Sequence, residues 1–222
     1  MNASQQITAA HQPAPPKRMT WASVVSGKLQ KPKRIVLYGV EKIGKSTFAA
    51  EAPYPIFLGA EDGTSELDVA RLPEPTSWRD ILDGVQLVID DPRGHKTFVL
   101  DTLDWAEPFC WRHVCDAAPG GKKKSIEDFG FGRGYVAALD EWRVLTSMLD
   151  TLREKRQMNI IILAHAVIKA FKNPLGDDYD RYELKVNAKA GGLFKEWCDC
   201  VMFANHEILT QKKGDAANAR SI

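Results

Sequence analysis

The chain has 222 residues, 44% hydrophobic and 27% charged, which suits one sizeable core at roughly 100–200 residues per domain and excludes collagen-like, mucin-like and wholly disordered chains. The net charge is only +1, but residues 1–34 hold six Lys or Arg and no acid, which leaves a body close to −5; charge alone does not mark a nucleic-acid binder. No apolar run approaches the ~20 residues of a bilayer span and the polar N-terminus lacks a secretory apolar stretch, so the expectation is a soluble intracellular protein without membrane contact.

Residues 1–30 mix Gln, Ala, Pro and Ser without periodicity and read as a flexible basic leader. From Arg34 the pattern changes. Ile35–Tyr38, ending in Gly39, is the first short apolar run of the buried-strand type, and Pro55–Gly59 is the second. Ser77 then caps a predicted helix over 77–90, with Asp80 three residues on. Thr97–Leu100 runs into Asp101, Leu103–Cys115 is amphipathic, and Tyr135–Gln157 repeats Val136, Leu139, Trp142, Leu145, Leu149 and Leu152 at helical steps. Asn159–Leu163, ending at Ala164-His165, and Cys200–Phe203 complete the strands. This alternation predicts an α/β fold with a mostly parallel sheet over 31–210, followed by a polar, strandless tail at 211–222. Cys110, Cys115, Cys198 and Cys200 lack the C-x-x-C spacing of a zinc site and read as reduced thiols.

The strongest signal is Gly39-Val40-Glu41-Lys42-Ile43-Gly44-Lys45-Ser46-Thr47, a full match to G-x-x-x-x-G-K-[ST] between a strand and a helix. A chain of this length carries such a match by chance about once in a hundred. The glycines are expected to turn the backbone so that successive N–H groups meet phosphate oxygens, and the helix N-terminus adds partial positive charge. The nine residues thus predict a nucleoside triphosphate site, with Lys45 on the β- and γ-phosphates and Ser46 on Mg2+. Asp101, at a strand end, is the second metal carboxylate in type and position. Because Thr102 follows it, the group that orients the attacking water must come from elsewhere. Glu61, after the second strand, is the candidate catalytic carboxylate, Asp62 is the alternative, and a plain surface turn competes with both.

A P-loop, Ala60-Glu61-Asp62 after strand two, Asp101-Thr102 at a strand end and His165 closing the next strand resemble the RecA-like ATPase core. More narrowly, the chain resembles phage-encoded AAA-domain nucleotide-binding proteins of the single-strand-annealing or recombinase type, from about Lys33 to His206. The resemblance implies ATP and Mg2+ as cofactors and the cytoplasm of a bacterial host. It also implies self-association into a ring or filament, with Arg133, Lys189 and Lys195 as candidate cations for a neighbour's phosphate. It places His165 as a γ-phosphate sensor, although a His at a strand end can equally bond backbone. It further implies a grip on single-stranded DNA by two loops, 117–135 and 166–184. The first holds Lys122, Lys123, Lys124, Phe131 and Arg133; the second holds Lys169, Phe171, Lys172 and Arg181. Cations interleaved with aromatics suit single strands, whereas Asp177, Asp178 and Asp180 weigh against a simple basic groove. The reading is therefore a DNA-stimulated ATPase. A nucleotide-binding interaction module with little turnover and a small-molecule phosphotransferase are the alternatives.

Overall fold

The computed structural model describes residues 19–61, 63–213 and 216–221. Most of the leader, residues 1–18, and Asp62 lie outside the described residues. The chain divides into two units, Met1–Gln30 and Lys31–Ile222; the described part of the first holds one 3-10 turn, Trp21–Ser23. Among the described residues no helix is long and apolar enough to cross a membrane.

The apolar runs become strands bounded by the glycines and acids that flank them. They are β1 (Arg34–Gly39), β2 (Pro55–Gly59), a short β3 (Ala70–Arg71), β4 (Thr97–Asp101), β5 (Asn159–Phe171), β6 (Tyr179–Leu184) and β7 (Cys200–Ala204). The order β3-β2-β4-β5-β1-β7 is parallel throughout, and β6 runs antiparallel to the outer half of β5, giving the expected mostly parallel α/β sheet. Register brings the strand ends to one edge: Gly39 lies opposite His165, and Gly59 opposite Asp101. In open parallel sheets this carboxyl edge is where ligands bind.

The two faces of the sheet are covered unequally. Val36, Leu58, Phe98 and Ile160 point into a large core closed by α2 (Trp78–Asp90), α3 (Leu103–Asp116), α4 (Arg133–Lys155) and α5 (Ala188–Trp197). Its centre is Trp142, which meets Trp78 edge-on at 4.8 Å and Phe194 at 5.4 Å. The intervening positions Leu37, Phe57, Val99, Ile161 and Leu163 form a smaller core with Ala49 of α1 (Lys45–Ala50). The expected cap of α2 is present: the Ser77 side chain accepts from the Asp80 N–H.

Several expectations need correction. Residues 166–184 are not a loop: Ala166–Phe171 of β5 and Tyr179–Leu184 of β6 form a hairpin. Within 117–135, Ile126–Phe129 is a 3-10 turn, and Arg133 opens α4 rather than standing in a loop. Val136, expected on the buried face of α4, is exposed, while Ala138 takes a core position. Helix α5 was not foreseen. The strandless tail is also overturned, because β8 (Ile208–Lys213) pairs antiparallel with β9 (Ala216–Ser221) as a separate two-stranded sheet.

Candidate active site

At the end of β1 the chain enters the phosphate-binding sequence. Gly44 sits at φ +95° as the cap of α1, a left-handed conformation that glycine adopts without cost, and Lys42 shares the left-handed region at φ 59°. Gly39 is needed for a different reason than the expected tight turn. A Cβ there would collide with the carbonyl oxygen of Ala204 on β7, so a close strand approach demands the glycine.

Lys45, 6% exposed, folds its ammonium back over the loop and donates to the carbonyls of Val40 (3.0 Å) and Gly39 (3.4 Å). Burial lowers its pKa, opposed by Asp101 and Glu61. Ser46 Oγ donates to Asp101 Oδ2 at 2.7 Å, which joins the helix start to the end of β4. Asp101 is 1% exposed, and its Oδ1 is buried without a partner. Burial raises its carboxyl pKa, while Ser46 and Lys45 pull it down. A hydroxyl beside a carboxylate with one unanswered oxygen is a hard-oxygen donor set of the kind Mg2+ takes, so these residues fit the ion.

A cavity of about 860 Å³ opens over this cluster. Glu41, Lys42, Gly44, Lys45, Ser46 and Thr47 line it, whereas Gly39, Val40 and Ile43 do not. Glu61 lines the cavity from beyond β2, together with His165 from β5. Desolvation and the nearby Asp101 and Asp104 raise the Glu61 carboxyl, and His165 opposes them. A carboxylate made more basic in this way is a better proton acceptor for water.

His165 is held by Asp104, a residue that sequence reasoning passed over. Asp104 lies in the first turn of α3, takes the His165 N–H on Oδ1 (2.9 Å) and meets Nδ1 with Oδ2 (2.9 Å). A carboxylate only accepts, so Nδ1 carries the hydrogen and Nε2 is the nitrogen left for the cavity. The Asp104 hydrogen bond raises the imidazole pKa although burial lowers it. Burial would raise Asp104 itself, but the bonds from His165 outweigh that and hold it below its ordinary value. The available signal was an acid three residues past Asp101, which reads equally well as a helix-dipole partner.

The residues expected to meet DNA are dispersed. The Lys122 ammonium lies 3.5 Å from Asp116, Lys123 and Lys124 are anchored through backbone N–H groups to Cys115 and Asp128, and Phe131 is fully exposed. The hairpin gathers its members more closely. Lys169 lies opposite Arg181 and Phe171 opposite Tyr179, so two cations and two aromatic rings share one face. Arg181 covers the Phe171 ring at 4.0 Å and pairs with Glu183, and Lys172 pairs with Asp178 at 2.6 Å.

Residues 31–221 match the sequence profile of the AAA domain family, and the chain belongs to that family of nucleotide-binding P-loop ATPases. No curated protein matches the chain.

Proposed function

We propose that this AAA-domain protein is a Mg2+-dependent ATPase that acts on single-stranded DNA, in annealing or recombination of phage DNA in the cytoplasm of a bacterial host. The observation that carries the catalytic part is the convergence of Lys45, Ser46, Glu61 and His165 on one cavity, with Asp101 bonded to Ser46 behind it. Lys45 and the N–H groups of the loop residues that line the cavity, Gly44, Lys45 and Ser46 among them, hold the phosphates. Ser46 and Asp101 would hold Mg2+, which would neutralise charge on the phosphate oxygens. Glu61 orients the attacking water and takes its proton. His165, whose pKa the Asp104 hydrogen bond raises, donates from Nε2 to the terminal phosphate when its ring is protonated.

The DNA part is supported by the hairpin face of Lys169, Phe171, Tyr179 and Arg181, where cations meet phosphates and rings stack on bases. It is supported also by the continuity of β5, which runs from the cavity at His165 directly into that face. Lys122, Lys123, Lys124, Phe131 and Arg133 form a secondary contact. Phage origin and assembly into a ring or filament rest on the sequence resemblance to recombinase-type proteins alone.

The test is ATP hydrolysis by the full chain with and without single-stranded DNA, beside Lys45→Ala and Glu61→Gln. Turnover that rises with DNA and disappears in both variants is the expected result. Tight ATP binding without turnover in either condition would instead make the chain a nucleotide-binding module.

A further inference from the structure

Helix α3 carries two buried carboxylates, Asp104 and Glu107, three residues apart and so on one face. Both are buried, the Asp104 side chain and Glu107 each 6% exposed. Carboxylates out of water are costly unless their oxygens are answered, and each of these spends both oxygens on a single distant residue. Asp104 takes the N–H and Nδ1 of His165. Glu107 takes the N–H of Asn187 on Oε1 (2.9 Å) and Oε2 (3.1 Å).

His165 and Asn187 bracket residues 166–186, the β5–β6 hairpin with its return to α5. The root between them is closed by the Lys185 N–H, which donates to the His165 carbonyl at 2.9 Å, and by the register of Ala166 with Leu184. One rigid helix face therefore grips both ends of the hairpin, and one of those ends is also a wall of the nucleotide cavity. The ring of His165 belongs to the cavity and its backbone to the hairpin, so a force on the ring reaches Asp104, and one turn later Glu107. Burial pushes the Glu107 carboxyl up to about 7.

We propose that α3 is the element that couples the nucleotide cavity to the hairpin: Asp104 positions His165 against the terminal phosphate, Glu107 fixes the returning limb, and nucleotide occupancy thereby sets the order of residues 166–186. The inference rests on the ATP reading above and deepens it by naming the route from site to surface. Groups that served only the fold would, when altered, lower stability everywhere. Groups that couple the two sites would, when altered, separate the response of the cavity from that of the hairpin.

Hydrogen exchange of the full chain distinguishes these roles, measured with and without Mg2+ and a non-hydrolysable ATP analogue in wild type, Asp104→Asn and Glu107→Gln. In wild type the analogue slows exchange at Gly39–Thr47 and across 166–186. Both variants keep the slowing at Gly39–Thr47, with analogue affinity within about two-fold of wild type, and lose at least about five-fold of the slowing in the hairpin. Hairpin slowing that survives both substitutions overturns the coupling. So does a wild type in which Gly39–Thr47 responds and the hairpin does not, a result that leaves the ATP reading intact. No response at Gly39–Thr47 in wild type overturns the ATP reading, and the coupling with it. If Glu107→Gln fails to fold, Asp104→Asn decides alone through its kinetics as well: kcat falls about ten-fold while KM for ATP stays within about two-fold, and a fall in both or neither counts against the role.

Discussion

The nucleotide cavity and the β5–β6 hairpin are built from the same residue types and treat them in opposite ways. Around the cavity Lys45, Asp101, Asp104 and His165 are out of water or nearly so, and close neighbours answer them: Ser46 to Asp101 at 2.7 Å, His165 to Asp104 at 2.9 Å, Lys45 to Val40 at 3.0 Å. In the hairpin the Lys172 side chain is 91% exposed while it pairs with Asp178, and Arg181 reaches Glu183 with its side chain 44% exposed. The first set is fixed when the chain folds, because a buried polar group left unanswered is costly; Asp101 Oδ1, buried without a partner, is the exception. The second set keeps its water, so each pair is worth about 0–1 kcal/mol and exchanges freely. The cavity is thus held in place in advance, whereas the hairpin's pairs stay exchangeable.

The comparison is broken most directly at Lys45. Lys45→Ala is expected to lower ATP turnover by about a thousand-fold or more and to weaken nucleotide binding, because no other cation is buried in the loop. Steady-state hydrolysis and nucleotide titration read both effects. Glu61→Gln is expected to cost about a hundred-fold in kcat with nucleotide affinity retained, since it removes a proton acceptor and leaves the phosphate cradle intact. Loss of affinity in that variant would move Glu61 from orienting water to holding the ligand.

The third test sharpens the contrast through pH. Asp104 raises the His165 pKa above 6.5, so the contribution of His165 to stability is complete below pH 6.5 and is lost as pH climbs through the raised value. The Asp104 carboxyl lies below 3.8 in the folded chain, so its share is present above pH 3.8 and is lost as pH falls through the lowered value. Between these limits the wild type should exceed Asp104→Asn by about 2 kcal/mol in denaturant unfolding, with the gap narrowing on both sides.

Legibility in the sequence follows the same division. β1, β2 and β4 lie within a residue or so of the apolar runs, because strands covered on both faces need continuous hydrophobic stretches. The outer half of β5 and most of β6 escaped notice because both of their faces are wet, and in β6 burial is confined to its end at Leu184. Ile168, Ala170 and Tyr182 are diluted by charges, and the run resembles a polar loop. α5 was obscured by Gly191-Gly192, a pair that reads as a helix breaker until the core around Phe194 outweighs its propensity. The nine-residue phosphate sequence was legible because it is contiguous and its spacing alone carries a mechanism. The Asp104–His165 bond was not, because its partners are 61 positions apart and only the placement of α3 beside β5 brings them together.

The smallest effects bear on the hairpin's exchangeable charges. Removing Lys169, Lys172 and Arg181 together, each to Ala, should weaken single-stranded DNA binding about ten-fold at low salt and flatten its salt dependence, since each phosphate contact contributes about 0.7 to the slope on single strands. Asp178→Asn tests the same surface in the opposite direction. The substitution keeps the Oδ1 that accepts the Asn173 N–H at 3.1 Å, so the turn of the hairpin survives, but it removes the charge that occupies Lys172. If that pair is a placeholder for phosphate, DNA affinity should rise about two- to three-fold at low ionic strength, and the gain should vanish in high salt, where exposed charges are screened. A variant that binds DNA no better, on a hairpin that still folds, would mean that Lys172 is free enough already or that the strand passes elsewhere. Single substitution of Lys172 separates these outcomes, because only in the first does it cost affinity.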